Sequence, residues 1–154
     1  MLQTVWFRAF VALAACFVSA PAAAEDAPTY VPPAGWNATV WMSPQPSDGF
    51  NDNVNLLRGA AGDSSWPDYV NLNRTQLLDG FTKAFDTDAD EKCGTALAHR
   101  FAYTSNQAGR TLAIVQLLRV VDDVQYVVTY TRLAAHAADP AAIASLRSIC
   151  DSKA

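Results

Sequence analysis

Three aspartates, Asp86, Asp88 and Asp90, stand at alternate positions in the acidic stretch FDTDADEKCG. Carboxylates at this spacing are typical of the first half of a calcium-binding loop. An EF-hand loop, however, has a glycine at the position of Glu91 and a bidentate glutamate at the position of Leu97. The sequence therefore favours a solvated acidic loop without a metal ion, because clusters of charge usually need no ligand.

The two histidines, His99 and His136, have no third ligand at a spacing that would complete a zinc site. Both are therefore interpreted as structural or surface histidines. Serine and threonine are frequent, but the chain has neither a Gly-x-Ser-x-Gly elbow nor a glycine-rich phosphate loop. The sequence predicts no catalytic residue, metal or cofactor. The alternative is a metal-dependent or hydrolytic enzyme whose site is assembled from dispersed residues, including the three aspartates or His99.

Large aromatic residues are the best indication of a binding site. They are concentrated at Trp36, Trp41, Phe50, Trp66 and Tyr69. Tryptophan beside a loop can form a platform for a sugar, a peptide or a partner protein. It can equally hold a short edge strand against a sheet, and large aromatic side chains are usually mostly buried. The structural role is favoured, and Trp36, Trp41, Trp66 and Tyr69 remain candidate binding residues.

Residues 1–24 are typical of a secretory signal peptide, with one charge at Arg8, an apolar run over 9–18 and small residues at the end. The run is about half of the roughly 20 residues that cross a bilayer as a helix, so no transmembrane span is expected. The Ala-Ala-Ala triplet at its end predicts cleavage before Glu25 and a periplasmic or secreted protein.

A second interpretation of the same segment is open. Leu13-Ala14-Ala15-Cys16 resembles a lipobox, in which case Cys16 would be acylated and anchor the protein on a membrane. Cleavage before Glu25 is favoured, because the apolar run continues past Cys16 to a good signal-peptidase site.

The remaining chain has room for one domain, which we assign to residues 35–154 after a leader rich in proline and alanine at 25–34. The formal net charge of the whole chain is −4. An acidic chain without a basic stripe is not expected to bind nucleic acid or anionic lipid.

The clearest structural pattern is TLAIVQLLRVVDDVQYVVTYTR, residues 111–132. It is rich in β-branched and aromatic residues and is interrupted by Asp122-Asp123, so it predicts a hairpin of two antiparallel strands. Both faces of the hairpin are largely apolar, which indicates a central position covered on both sides.

The segments around the hairpin predict further elements. Strands are expected at 39–42, 53–57 and 95–105. Ser65 followed by Pro67 predicts the start of one amphipathic helix, and Asp139 followed by Pro140 predicts the start of a closing helix. The order of elements predicts an α+β fold with an antiparallel sheet flanked by helices.

Spaced residues over about 30–150 resemble the PsbP-like superfamily, which includes PsbP, Mog and the bacterial envelope proteins LpqN and DcrB. The residues that carry the resemblance are the Pro-Ala-Gly-Trp entry at 33–36, Asp-Asn-Val-Asn at 52–55, Tyr-Thr at 103–104, Gly-Arg at 109–110, Gln116, Tyr126 and Thr129-Tyr130-Thr131. The resemblance implies an α/β/α sandwich whose members mostly bind, scaffold or assist other proteins, with no common catalytic set.

Cys93 and Cys150 are predicted to form a disulfide bond. They are the two cysteines left once Cys16 is removed or acylated, and thiols of exported chains are commonly oxidised. Cys93 lies just before a predicted strand, and Cys150 ends the apolar stripe of the closing helix. Two buried free thiols are the alternative.

Together these features predict a non-enzymatic, extracytoplasmic binding or accessory domain of the bacterial envelope. Its expected partner is an envelope protein or a small ligand that the sequence does not identify.

Overall fold

The structure is a computed structural model that describes residues 40–94 and 96–150. The predicted signal peptide, the alternative lipidation site Cys16, the leader at 25–34 and Trp36 lie outside the described residues. The architecture below concerns the two described ranges.

A single antiparallel sheet of six strands dominates the fold. The strands in chain order are β1 (Trp41–Met42), β2 (Asn53–Ala60), β3 (Thr87–Cys93), β4 (Ala96–Gln107), β5 (Arg110–Val121) and β6 (Val124–Leu133). Their order across the sheet is β1-β2-β6-β5-β4-β3. Helix α1 (Trp66–Gly80) follows β2, and helix α2 (Pro140–Arg147) with a 3₁₀ turn at Ser148–Cys150 follows β6.

The predicted hairpin is confirmed as β5 and β6. Both residues of its turn have positive φ angles, 48° at Asp122 and 61° at Asp123. Two consecutive positive φ angles are typical of the tight turn that matches the twist of antiparallel strands, and aspartate tolerates this conformation better than most residues. A second such turn, at Ala108 and Gly109, joins β4 to β5.

The two faces of the sheet belong to two separate apolar clusters. On one face Leu112, Ile114 and Leu118 of β5 pack with α1. On the other face Leu117 of β5 and Val128 of β6 pack with α2 and the 3₁₀ turn. The central, doubly covered position predicted for the hairpin is therefore confirmed.

Both helices begin at the residues that the sequence predicts. The Ser65 side chain accepts a hydrogen bond from the Asp68 amide, and the Asp139 side chain accepts one from the Ala141 amide. These caps satisfy amide groups that the first turn leaves without an intrahelical partner. Helical spacing predicts an apolar stripe on α1 made of Tyr69, Leu72, Gln76 or Leu77, Phe81 and Phe85. This prediction is partly wrong, because Leu72 is 52% exposed while Val70 is buried.

The predicted α/β/α sandwich is wrong, and the α+β class with it. The described residues form a mainly β fold, in which α1 has 15 residues and α2 only 8. The sheet is larger than predicted because β4 and β5 each have 12 residues and β3 adds an unexpected strand. Each helix covers only part of one face, so neither makes a complete layer.

The acidic segment is not the loop that its composition predicts. Residues 87–93 form β3, which pairs with β4 from Thr87 opposite Ala102 to Cys93 opposite Ala96. β3 is an edge strand, and charged side chains on an edge are a common protection against pairing with other chains. The charges therefore mark an edge position in the sheet.

A disulfide bond and a hydrogen bond hold the 3₁₀ turn at Ser148–Cys150 against the sheet. As the sequence predicts, Cys93 and Cys150 are joined by a disulfide bond, with their Cα atoms 4.6 Å apart. The buried guanidinium of Arg119 on β5 donates to the carbonyl oxygen of Ile149 in the 3₁₀ turn. A cation at the carboxyl end of a helical segment is favourable, because unpaired carbonyl groups collect there.

Among the helices of the two described ranges, none combines the length and the apolar character that crossing a bilayer requires.

Candidate binding pocket

A pocket of about 100 Å³ lies where the loop between β2 and α1 meets the turn between β5 and β6. Its walls come from two parts of the chain that are distant in sequence, residues 61–69 and 120–123. The lining residues are Ala61, Gly62, Ser64, Trp66, Tyr69, Val120 and Asp123.

Strand register brings these parts together. The last residue of β2, Ala60, lies opposite Val124, so the chain leaves the sheet beside the β5–β6 turn. The Ala61 amide then donates to the Asp123 carbonyl oxygen at 2.7 Å, which holds the loop against the turn. Because Ser65 caps α1, the first helical turn places Trp66 and Tyr69 beside this junction.

The rings of Trp66 and Tyr69 form the aromatic side of the pocket. Their centroids are 6.0 Å apart and the rings are tilted by 37°. The indole Nε1 of Trp66 and the hydroxyl of Tyr69 are both buried, and neither makes a hydrogen bond of acceptable geometry with the described residues. Buried polar groups are almost always hydrogen-bonded, and an unpaired one costs about 1–3 kcal/mol. Two such groups on one pocket therefore need an explanation.

The hydroxyl of Tyr69 stays protonated at neutral pH. Burial raises its pKa to about 12, and a weak hydrogen bond from the Asn73 side chain, which falls short of good geometry, offsets a smaller part of that shift. A neutral phenol can donate and accept a hydrogen bond, whereas an indole N–H can only donate. Two possible donors therefore lie just behind the lining of the pocket, to which Asp123 also belongs.

The lining of the pocket is better suited to binding than to acid–base chemistry. Ser64 supplies the hydroxyl group of an aliphatic alcohol, but no histidine or lysine that could activate it lines the pocket. Val120 and Ala61 supply apolar contacts. This combination can orient a small polar group through hydrogen bonds.

The candidate aromatic residues do not form one cluster. Trp41 pairs with Val54, whose side chain belongs to the α2 face of the sheet, whereas Trp66 and Tyr69 pack on the α1 face. Phe50 lies on the α1 face with the Arg110 guanidinium 5.9 Å from its ring centre. Of the three candidate binding residues that the structure describes, it brings together Trp66 and Tyr69 but not Trp41, and their binding role stays a prediction.

A second polar cluster joins α1 to β3 and contains the residues considered for metal binding. His99 is buried between two carboxylates, with Nδ1 2.7 Å from Asp90 Oδ1 and Nε2 2.8 Å from Asp88 Oδ1. Asp88 also accepts hydrogen bonds from Nε and Nη2 of Arg74, at 2.5 and 2.7 Å. Hydrogen bonds from Arg74, helped by His99, hold the pKa of Asp88 below its usual value.

The geometry of this cluster is that of a structural ion pair. Both ring nitrogens of His99 lie within hydrogen-bonding distance of carboxylate oxygens, and Arg74 forms an ion pair with one of these carboxylates. No group of three or more side chains able to hold a metal occurs in the described ranges 40–94 and 96–150. His136 instead contacts Asp48, with Nε2 2.8 Å from Oδ2.

No family model matches this chain, and no curated protein matches it. Solved structures similar to it include PA94, a protein of unknown function from Pseudomonas aeruginosa, with 18% identity and a TM-score of 0.56. That match covers 67% of this chain and 75% of PA94. At this identity the likeness shows a common fold.

LpqN, a protein involved in cell envelope biogenesis of Mycobacterium tuberculosis, is also similar, with 11% identity and a TM-score of 0.45. The match covers 73% of this chain and 66% of LpqN. LpqN is one of the proteins named by the PsbP-like resemblance, but a score this low does not establish the relationship. Membership of the PsbP-like superfamily is not confirmed.

Proposed function

We propose that this protein is a non-enzymatic, extracytoplasmic binding or accessory domain of the bacterial envelope, and that its ligand occupies the pocket beside Trp66 and Tyr69. The observation that carries the proposal is that two residues of the pocket lining, Trp66 and Tyr69, each have a buried polar atom that makes no hydrogen bond of good geometry. An occupant that hydrogen-bonds to them would remove a cost that the folded protein otherwise bears.

The disulfide bond supports the location. Cys93 and Cys150 are bridged, and structural disulfides persist mainly in oxidising compartments outside the cytoplasm. This agrees with the export signal predicted over residues 1–24.

Thermal unfolding of the exported protein with size-separated fractions of envelope extract tests the proposal. A ligand that binds only the native state raises the melting temperature, so we expect a low-mass fraction to raise it by several degrees. Trp66→Phe should abolish this rise. Trp41→Phe, on the opposite face of the sheet, is the matched control and should retain it.

Three results would contradict the proposal. The first is that no fraction raises the melting temperature, and the second is that Trp66→Phe responds as the native protein does. The third is that the protein chemically converts a component of the active fraction, detected by mass spectrometry, since this would indicate an enzyme.

A further inference from the structure

We infer that the pocket recognises a neutral amide group, the chemistry shared by N-acetylated amino sugars and by the carboxamides of peptides. This inference rests on the proposed function and specifies the ligand class of the same site. It follows from the donors, the charge and the size of the pocket.

The two donors call for an acceptor oxygen. Trp66 Nε1 can only donate, and the Tyr69 hydroxyl keeps its proton because burial raises its pKa to about 12. Both atoms are buried and neither donates a hydrogen bond of good geometry; the Asn73 side chain can donate weakly to the Tyr69 oxygen, which leaves the phenolic proton free to be donated. A carbonyl oxygen has two lone pairs and can accept from both groups at once.

The surrounding charge excludes an anionic acceptor. Asp123 lines the pocket, Asp122 precedes it in the turn, and Asp63 lies within the loop between lining residues Gly62 and Ser64. A carboxylate or phosphate would meet like charge here, and like charges brought close together repel. A neutral carbonyl group avoids this repulsion. The Asp123 carboxylate can then accept from the N–H of the same amide.

The size of the pocket limits the group that enters. Its volume of about 100 Å³ is smaller than that of an engineered cavity of about 150 Å³ that binds benzene, so a group of a few non-hydrogen atoms fits. Val120 and Ala61 provide apolar contacts for a methyl or methylene group attached to the carbonyl.

Entry of the amide requires a small displacement of the wall. Trp66 Nε1 and the Tyr69 hydroxyl have almost no accessible surface, so they lie just behind the surface of the pocket. Loop residues Ala61, Gly62 and Ser64 line the same pocket, and most of residues 61–65 are exposed. Gly62 has a φ angle of 69° and no neighbouring atom within 4 Å of the position of a β carbon. This wall has room to shift outward when the ligand binds.

The test uses NMR spectra of the ¹⁵N-labelled exported chain, in which the indole N–H of Trp66 is identified by its loss in Trp66→Phe. N-acetylglucosamine and N-acetylalanine amide at millimolar concentration are the probes for the two sources. Glucose, which lacks the amide, and acetate, which has an anionic acceptor, are the controls. We expect at least one amide probe to shift the Trp66 indole signal, and neither control to do so. The probe that shifts it identifies the source.

Variants locate the binding contact. Tyr69→Phe removes one hydrogen bond, so affinity for the active probe should fall about three- to tenfold. Tyr103→Phe is the control, because Tyr103 is buried in the same apolar cluster and does not line the pocket. It should leave the affinity unchanged. Equal affinity of all three proteins would overturn the assignment.

Other results would overturn the inference in distinguishable ways. An equal shift with acetate would mean that the site takes any acceptor. If neither amide probe shifts the Trp66 indole N–H signal, and this N–H already exchanges slowly with solvent, an ordered water molecule is its partner. If envelope fractions act through Trp66 while the amide probes do not, the proposed function stands and the amide assignment fails. If neither the envelope fractions nor the amide probes act through Trp66, the proposed function and the amide assignment both fail.

Discussion

At the scale of single residues, two buried tyrosines on opposite faces of the sheet differ in the hydrogen bonds of their hydroxyl groups. The Tyr69 hydroxyl has no partner of acceptable geometry. The Tyr130 hydroxyl donates to Asp52 Oδ2 at 2.9 Å and accepts from the Asp139 amide at 3.0 Å. Tyr130 thereby connects β6 to the residue before β2 and to the amino-terminal cap of α2.

This contrast predicts different costs for removing one oxygen atom. Tyr130→Phe should lower the free energy of unfolding by about 1–3 kcal/mol, because it leaves the Asp52 carboxylate and the Asp139 amide without this partner. Tyr69→Phe should lower the free energy of unfolding by less than about 0.5 kcal/mol or should raise it, because the hydroxyl makes no hydrogen bond of good geometry that could be lost. Urea unfolding of the ligand-free proteins measures both. A larger loss for Tyr69→Phe would mean that its hydroxyl is already paired.

The Asp88 carboxylate has a consequence for acid stability. Its pKa is held low in the folded protein, first of all by hydrogen bonds from Arg74. A depressed folded pKa adds stability above the unfolded value of about 4, and that stability disappears as the pH falls through the folded value. Between about pH 5 and pH 2 the native protein should therefore lose more stability than Asp88→Asn.

Chemical unfolding at a series of pH values measures this difference. The effect should be modest, because Asp88 and Arg74 are both partly exposed and solvent screens their attraction. Asp86→Asn is the control, because it removes a nearby exposed carboxylate that lies just before β3 and outside the ion pair with Arg74. Parallel acid profiles for Asp88→Asn and the native protein would show that the ion pair does not contribute.

At the scale of elements, the disulfide bond determines how firmly the last turn is held. The bridged cysteines are 57 residues apart, and closing a loop of this length restricts the unfolded chain by about 4 kcal/mol in the chain-entropy model. Cys93→Ser and Cys150→Ser should each lower the free energy of unfolding by about this amount. The double variant should cost little more than either, because both changes remove the same bond.

Thiol counting provides the control for this prediction. Denatured, unreduced protein from the export compartment should contain no free thiol from Cys93 or Cys150. Two free thiols, or single variants whose costs add up in the double variant, would contradict a bridge.

The elements differ in how much of them the sequence predicts. The β5–β6 hairpin and the two helix starts were predictable, because alternation of apolar residues and capping side chains are local signals. Strand β3 was missed because aspartate and glutamate disfavour strands in general, and only its edge position makes them suitable. The sequence predicts no pocket, and of the lining residues it names only Trp66 and Tyr69, among four candidate binding residues. Asp123 joins them through strand register, which no local pattern contains.

At the scale of the whole molecule, the packing of the two faces explains why the α/β/α expectation failed. A central strand that is apolar on both sides indicates that both faces are covered, and they are. Apolar alternation does not say how wide the sheet is or how long the covering helices are. Those quantities depend on pairings between distant strands, such as β2 with β6.

The thermal stability of the whole molecule should also not depend on divalent metal ions. In the described ranges no group of three or more side chains is placed to hold a metal, and both nitrogens of His99 already face carboxylates. Ca²⁺ or Zn²⁺ at low millimolar concentration should therefore leave the melting temperature within about 1 °C of that in a chelator, because only an ion that binds the native state stabilises it. Asp90→Asn is the matched variant. A rise of several degrees with the native protein, lost in Asp90→Asn, would favour the metal-dependent alternative and count against a purely structural role for the His99 cluster.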